Sequence, residues 1–318
     1  MEKHVYKRTI YLLTILIWLA IPFDTLATFR YVKPTATGTG TGLSWADASA
    51  DLQGMINLSV NGDEVWVMAG TYFPTCDGSG NASPADPRTR TFLIRSGVKV
   101  YGSFAGTETS TADRVNIWTT ILSGNLGTLS NANDNAYRVV SFANQSDANL
   151  LDNFSIRNGY DNQSSSPSGG GIYFNDETST YSPATSPVIN QCELAFNQNG
   201  GLYVGSYNLP TITGCSFSFN TEGAVRNQPF SQPTFSDCTF YSNTTSTEGG
   251  AVSNIGCMPL FKTCKFLGNS TQSSRTDIYI TGGAMFNKGS DVVLRSCLFD
   301  GNTALYAGGP SVVLLWEA

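Results

Sequence analysis

A short motif that recurs at intervals of 23 to 33 residues constrains this chain more than any other feature of its sequence. Each copy has an apolar residue, a cysteine three places later, an aromatic residue or leucine two places after the cysteine, and an asparagine three places further on. The cysteines are Cys192, Cys215, Cys238, Cys264 and Cys297. The residues two places later are Leu194, Phe217, Phe240, Phe266 and Phe299, and the asparagines are Asn197, Asn220, Asn243, Asn269 and Asn302. A degenerate sixth copy contains Leu151, Phe154 and Ile156, with Asn158 one place early.

A second motif, a glycine pair or Gly-Ala followed by apolar residues, lies between the cysteine copies. Examples are Gly200-Gly201, Gly249-Gly250 and Gly282-Gly283. From the residue after the glycines to the next cysteine the spacing is 13 or 14, whereas from a cysteine to the next such residue it varies between 9 and 20. One half of the repeat is therefore constant and the other accepts insertions, as in a stacked solenoid with loops along one edge.

The local pattern favours strands over helices. Cys238 and Phe240 are two residues apart, so both side chains point to one face of an extended segment. Phe235 lies three residues before Cys238, which predicts a corner between them, and the glycine pairs supply the backbone freedom of another corner. About 23 residues with three strands and three corners predict an all-β, right-handed parallel β-helix, a solenoid rising about 4.8 Å per coil. Equivalent side chains would then stack in ladders.

The sequence divides into three predicted segments. Residues 1–27 have a basic start, an apolar run and a small residue, Ala27, which is typical of a secretory signal peptide. Residues 28–145 would form a cap and the first irregular coils, and residues 146–318 the regular coils. Ser44-Trp45-Ala46-Asp47 predicts the start of a short helix whose apolar face includes Ala48, Leu52, Met55 and Ile56, covering the open end of the core.

Composition excludes several classes of function. The only histidine, His4, lies in the predicted signal peptide, so the processed chain has no imidazole for catalysis or metal binding. The net charge of −6 argues against a nucleic-acid partner, because phosphate neutralisation needs a basic surface. We expect no cofactor and no transmembrane segment in the mature chain.

Enzymes on such a fold need clustered carboxylates, or carboxylate-bound calcium beside a basic residue. The candidate acids are Asp152, Asp161, Asp176, Glu177 and Glu193, with Arg157 as a candidate base. These acids are scattered and include no Asp-Asp pair, so the sequence predicts no catalytic or metal residues. A polysaccharide lyase, a hydrolase or a glycan-binding module remains the alternative.

The cysteine ladder has two interpretations. A metal or redox site is one, and a buried stack of small apolar side chains, which we favour, is the other. A disulfide between adjacent coils, such as Cys192 with Cys215, stays open in an oxidising compartment, while Cys76 and Cys257 lie outside the ladder. The asparagines are expected to hold turns through backbone hydrogen bonds, with calcium or glycan binding as the alternative.

Tyrosines near the variable loops are candidates for passive glycan or protein binding, since their rings suit both. They are Tyr160, Tyr173, Tyr181, Tyr203 and Tyr207. Several of them would instead fill or cover the core.

The Phe-x-x-Asn copies and the Gly-Gly-Ala segments at Gly249 and Gly282 resemble the repeats of the chlamydial polymorphic outer membrane proteins and related secreted bacterial proteins. The opening Tyr31-Val32-Lys33-Pro34 through Gly70-Thr71-Tyr72 is similar to the usual start of the bacterial group. The resemblance implies a right-handed β-helix with a pectin lyase-like fold, exported to the cell envelope or outer membrane, with a role in adhesion or surface display. Its partners would be surface or host glycans or proteins. Because Gly308-Gly309-Pro310 opens a coil that the chain does not finish, we expect a truncated product.

Overall fold

The computed structural model describes residues 27–115, 117–142, 149–163, 169–175, 187–272 and 282–304. Over these residues the chain winds through three sheets in turn, and each strand pairs in parallel with its equivalents in the adjacent coils. We number the sheets first, second and third in the order in which a coil visits them. The predicted all-β parallel β-helix is confirmed.

The strands are short, mostly three residues, because each spans only one side of the coil. The first sheet contains nine described strands: Phe29–Val32, Glu64–Met68, Lys99–Phe104, Leu150–Asp152, Val188–Asn190, Thr211–Thr213, Thr234–Ser236, Leu260–Lys262 and Val293–Arg295. The second contains eight described strands: Gly70–Tyr72, Thr120–Ser123, Phe154–Arg157, Glu193–Ala195, Ser216–Ser218, Thr239–Tyr241, Lys265–Leu267 and Leu298–Asp300. The third has seven in the described part of the chain: Phe92–Ile94, Val140–Phe142, Ile172–Phe174, Leu202–Val204, Val225–Asn227, Val252–Ile255 and Met285–Lys288.

Smaller elements complete the described structure. A minor sheet joins Thr244–Thr245, Ser270–Thr271 and Thr303–Ala304, and an α-helix, α1, spans Leu52–Leu58. Single 3₁₀ turns occupy Pro87–Thr89, Thr111–Asp113 and Ala132–Asp134.

The corner between the first and second sheets is made by one residue with positive φ just before each cysteine position. In the coil of Cys238 this residue is Asp237, with φ of 54°, and it separates Phe235 from Cys238 as the broken alternation predicts. The corresponding residues are Asn153, Gln191, Gly214, Thr263 and Ser296. A left-handed residue turns the chain sharply without a loop, so both sheets share one continuous core.

Two phenylalanine columns fill the regular part of that core. Rings of the second sheet stack face to face, with centroids 4.9 Å apart for Phe217 and Phe240 and 4.6 Å apart for Phe240 and Phe266. Phe235 and Phe261 of the first sheet stack at 4.8 Å and meet the first column edge-on. Aromatic pairs in these geometries contribute about 0.5–1.5 kcal/mol each beyond their buried area.

In the asparagine ladder, the side-chain amides form hydrogen bonds through both their oxygen and their nitrogen atoms. The Asn243 Oδ1 accepts hydrogen bonds from the backbone N–H and from Nδ2 of Asn220, both at 3.0 Å. Its Nδ2 donates to the Phe217 carbonyl and to Oδ1 of Asn269, both at 2.9 Å. The same pattern connects Asn197 with Asn220 and Asn269 with Asn302. Each fully buried amide therefore satisfies backbone groups that the corner leaves unpaired.

The cysteines of the ladder are free thiols with a shared hydrogen-bonding role. The Sγ of Cys215 donates to the Ile189 carbonyl of the preceding coil at 3.6 Å, and Cys238 donates in the same way to Ile212 at 3.5 Å. Burial raises the pKa of the Cys215 thiol, and neighbouring thiols act in the same direction. A thiol held in its neutral form is a poor nucleophile and metal ligand. Cys76 and Cys257 are also buried and free.

The strand register corrects the alignment of the glycine motif. Val225 pairs with Val252, so Ala224 is equivalent to Ala251, and the pair Gly249-Gly250 is shifted by one residue relative to Gly200-Gly201. An alignment that treats the two glycine pairs as equivalent is therefore wrong by one residue, because Gly201, Ala224 and Ala251 share one position. The position needs a small residue because the chains approach closely there: a Cβ on Gly171, its equivalent two coils before Ala224, would lie 2.3 Å from the Gly201 carbonyl oxygen.

The sixth copy also differs from the prediction at its asparagine. Asn158 takes the left-handed corner conformation, with φ of 61°, and Gly159 occupies the ladder position, where its N–H donates to Oδ1 of Asn197 at 3.0 Å. Asn158 was thus one place early because it serves the turn and not the ladder.

The N-terminal helix exists but starts later than predicted. Asp51 caps α1 by accepting a hydrogen bond from the Gly54 N–H at 2.9 Å, and Leu52, Met55 and Ile56 are buried against the core. The Ser44-Asp47 pair closes a turn before the helix, and Asp47 also accepts from the Thr39 N–H at 2.9 Å. The capping-box interpretation was wrong because Asp47 is engaged by the preceding loop.

The predicted segment boundaries stay predictions. Residues 1–26 of the predicted signal peptide and the boundary at residue 145 lie outside the described residues. Strands from both sides of that boundary alternate within the same sheets, since Lys99–Phe104 pairs with Leu150–Asp152.

Replacing Asn243 by alanine should destabilise the coil stack strongly. The change removes the acceptor of the Asn220 N–H, the Asn243 donor to the Phe217 carbonyl, and one of the two acceptors of the Asn220 Nδ2, which keeps the Leu194 carbonyl. Each buried polar group left unsatisfied costs about 1–3 kcal/mol. We expect a loss of about 3 kcal/mol or more in the free energy of unfolding, measured by chemical denaturation. Asn133→Ala, in an exposed 3₁₀ turn, is the control. Equal losses in the two variants would contradict the structural role of the ladder.

Candidate functional site

Each described candidate acid is paired with an arginine. Asp176 and Glu177 lie outside the described residues, so the pairs concern Asp152, Asp161 and Glu193.

Asp152 ends a strand of the first sheet just before the corner. Its Oδ1 lies 2.7 Å from Nη1 of Arg114, and its Oδ2 accepts from the Asn190 amide in the next coil at 2.5 Å. Both members of the ion pair are largely buried. Two charge-assisted bonds engage both oxygens and hold the carboxylate in one position.

Glu193 starts the second-sheet strand on the other side of the corner. Its Oε2 lies 2.5 Å from Nη2 of Arg157 and accepts from Oγ of Ser155 at 2.7 Å. Arg157 also donates from Nε to Oγ of Ser155. The predicted base is therefore a guanidinium held by a carboxylate, and proton abstraction would require this pair to separate.

Asp161 follows the second sheet in the loop that leads to the third. Its side chain is fully buried, with Oδ2 3.3 Å from Nε of Arg138. Burial raises the pKa of Asp161, and the Arg138 charge acts in the opposite direction. The Arg138 guanidinium also lies 3.4 Å from the ring centroid of Tyr173, which holds it by a cation–π contact.

The three ion pairs form separate units along the coils. Within the described part of the chain, no three His, Cys, Asp or Glu side chains gather in a group that could hold a metal ion. The asparagine ladder is buried and hydrogen-bonded as described above, so its amides do not face solvent as ligands would.

The tyrosine candidates divide into two groups. Tyr173 and Tyr203 stack on each other with centroids 5.0 Å apart and are only 7% and 1% exposed, so these two follow the alternative that the sequence left open, in which the rings are buried. Tyr160 and Tyr207 are half-buried, and Tyr181 lies outside the described residues. Ring stacking between adjacent coils buries the first pair on the outer side of the third sheet.

Three exposed phenylalanines that the sequence analysis missed, Phe196, Phe219 and Phe230, lie with Tyr207 at two corners of the same two coils. Phe196 and Phe219 stack with centroids 5.2 Å apart beyond the second sheet, and Tyr207 stacks with Phe230 at 5.0 Å beyond the third. Phe196, Phe219 and Phe230 are 51%, 45% and 51% exposed. We call these four residues the corner aromatics. Phe196 and Phe219 directly precede ladder asparagines, and this spacing is the signal that would have identified them.

The corner aromatics adopt an unfavourable backbone conformation. All four have positive φ, between 54° and 65°. At the position of Phe196 and Phe219 other coils have Ser242, Gly268 and Gly301, which are smaller. Strain at such a residue costs about 1–3 kcal/mol. Exposed apolar rings in a strained conformation lower stability, and this combination is common at binding surfaces.

No helix within the described residues is long and apolar enough to cross a membrane.

Comparisons with known proteins agree with this architecture. A family model described as a right-handed β-helix region matches residues 138–313, which confirms the predicted hand. A search of curated proteins found no match.

Among solved structures, a pectate lyase is 13% identical, with a TM-score of 0.46, over 81% of this chain and 58% of its own length. The pectin methylesterase of Aspergillus niger is 13% identical, with a TM-score of 0.45, over 92% of this chain and 93% of the other. A pectin methylesterase of Erwinia chrysanthemi is 11% identical, with a TM-score of 0.35, over 82% and 70%. The chain thus spans less than two thirds of the pectate lyase.

The raised pKa of Asp161 predicts a pH-dependent stability. As pH rises above the ordinary value of 3.8, the unfolded chain loses its proton before the folded chain does, so stability falls until the folded carboxyl ionises. The wild type should therefore lose stability relative to Asp161→Asn across this interval, measured by chemical denaturation at several pH values. Asp300→Asn, on an exposed strand end, gives the baseline. A relative gain with rising pH would contradict the prediction.

Proposed function

The chain belongs to the family of right-handed β-helix proteins, and from this premise we propose that it acts without catalysis, as a secreted or cell-surface protein in adhesion or envelope structure. The observation that supports the proposal is a contrast between two groups of side chains. The described candidate acids are held by arginines, whereas the corner aromatics, whose backbone is strained, expose their rings.

The arrangement of charges argues against a hydrolase or lyase mechanism. A glycosidase needs two carboxyl groups facing one bond, one to give a proton and one to act as a base or nucleophile. Asp152 and Glu193 each bind a separate guanidinium at 2.7 Å and 2.5 Å, and Asp161 has no exposed side-chain surface. Catalysis would require two of these pairs to open together.

The corner aromatics provide the contact surface that adhesion needs. Aromatic rings contribute large apolar contact area with few rotatable bonds, so a partner loses little entropy in ordering them. The ion pair of Arg157 and Glu193 lies beside Phe196, since the Arg157 guanidinium is 5.8 Å from that ring centroid. An apolar centre with a charged edge matches the usual composition of protein interfaces.

The resemblance to polymorphic outer membrane proteins supports the envelope location. The predicted signal peptide would export the chain, and the stacked coils would present one long face to partners. The partner would be a glycan or a protein of another surface.

A glycan-binding module or a carbohydrate-active enzyme is the second candidate. The observation that favours it is the pair of Tyr207 and Phe230, because half-exposed rings can stack on the C–H faces of sugars.

The double variant Phe196→Asn with Phe219→Asn should lose surface binding without losing stability. Asparagine tolerates positive φ, which relieves about 1 kcal/mol or more of strain per site, and this offsets the about 0.5–1.5 kcal/mol of the lost ring stack. We expect an about tenfold loss of binding to a printed glycan array or to immobilised extracellular matrix proteins, because the removed rings carry the contact.

The control for this experiment is Leu129→Asn, an exposed apolar residue away from the corners. Unchanged binding by the double variant would overturn the assigned surface. Release of unsaturated or reducing ends from pectin or alginate by the purified chain would overturn the non-catalytic proposal. Binding to sugars alone, without cleavage, would favour the glycan-binding module.

A further inference from the structure

A groove lies on the irregular coils before the regular repeats. It is lined by Phe73, Pro74, Thr75, Arg90, Asn125, Leu126 and Gly127, and its volume is about 430 Å³. Small-molecule sites in proteins range from roughly 300 to 1,000 Å³. The groove shares no residue with the ion pairs or with the corner aromatics.

Arg90 is the charged residue of the groove. Its Nη2 donates to the Ala82 carbonyl at 3.2 Å, whereas its Nε is buried without an acceptor. None of the ion pairs of the described residues includes it, in contrast with Arg114, Arg138 and Arg157. A partly desolvated cation without a counter-charge attracts an anion more strongly than one in water.

The backbone of Arg90 is fixed at the base of a closed loop. Arg90 forms an antiparallel bridge with Asp77, and the Thr91 N–H donates to the Cys76 carbonyl at 2.9 Å. Asp77 forms no ion pair with the guanidinium, and its Oδ1 accepts from the Ser79 hydroxyl and two backbone N–H groups. A charge that is already positioned loses little entropy when a ligand binds.

The rest of the lining combines apolar and polar residues. Phe73, which is 47% exposed, Pro74 and Leu126 are its apolar residues, while Thr75 and Asn125 are its neutral polar residues. An apolar ring of a ligand would find an aromatic face in Phe73.

We propose that this groove binds a small aromatic monocarboxylate, with the carboxylate on the Arg90 guanidinium and the ring against Phe73. The guanidinium supplies two parallel donors to a carboxylate, which orients the ligand as well as neutralising the charge. This activity is independent of the proposed surface function, since the two regions have no residue in common.

The test uses the full chain titrated with phenylacetate, followed by calorimetry and by nuclear magnetic resonance of the Phe73 ring. The neutral analogue 2-phenylethanol and the ringless acid acetate should each bind about tenfold more weakly, because each lacks one of the two contacts. Arg90→Gln and Phe73→Ala should each weaken phenylacetate binding by about tenfold or more.

Two variants provide matched controls. Arg30 also has a buried Nε without an acceptor and donates to a carbonyl, that of Leu58, but it does not line the groove; Phe29 is similarly exposed at 41%. Arg30→Gln and Phe29→Ala should leave binding unchanged. Equal affinity for phenylacetate and 2-phenylethanol, tighter binding of glucuronate than of phenylacetate, or binding that survives Arg90→Gln would each overturn the proposal. So would the absence of any binding at millimolar phenylacetate.

Discussion

The vertical register between coils is the constraint on which the rest of this structure depends. Ile189 lies over Ile212, Ile212 over Phe235 and Phe235 over Phe261, with no shift in the regular region. Because each position meets its own equivalent above and below, a side chain must suit both neighbours. Flat rings, small thiols and self-complementary amides meet this condition, so the same chemical types recur at the same positions.

The asparagine ladder shows why self-complementarity matters. An amide has a donor group and an acceptor group of equal capacity, so it can bind its copy on both sides and still reach the backbone. A carboxylate could only accept, and a lysine could only donate. The asparagine position therefore accepts fewer residue types than the phenylalanine position, where Leu194 packs in place of a ring. The variable length of the segments between the repeats does not disturb this arrangement, because the ladder closes each corner locally.

Outside the core, the same repetition leaves the surface free to vary. Outward positions of successive strands need only avoid unpaired charge, and Asp152 and Glu193 meet arginines from other coils or loops. The corner residues before the ladder asparagines must adopt positive φ, but no packing contact in the core limits the size of their side chains. Phe196 and Phe219 place large rings there at a cost in backbone strain. Side chains at these corners can therefore change for function with the least effect on core packing.

The repeated motif was enough to predict the coil, its ladders and the corner between Phe235 and Cys238. These features follow from a short pattern that recurs in register, so they can be predicted without information on distant contacts. The sequence also predicted a capping helix, although the choice of Asp51 over Ser44 as its cap depended on what Asp47 binds in the folded chain. The folded chain alone shows which acids meet which arginines, which tyrosines are buried, and that Arg90 and Phe73 line one groove. Those pairings join loops of irregular length, and no periodicity relates residues that the repeat does not contain.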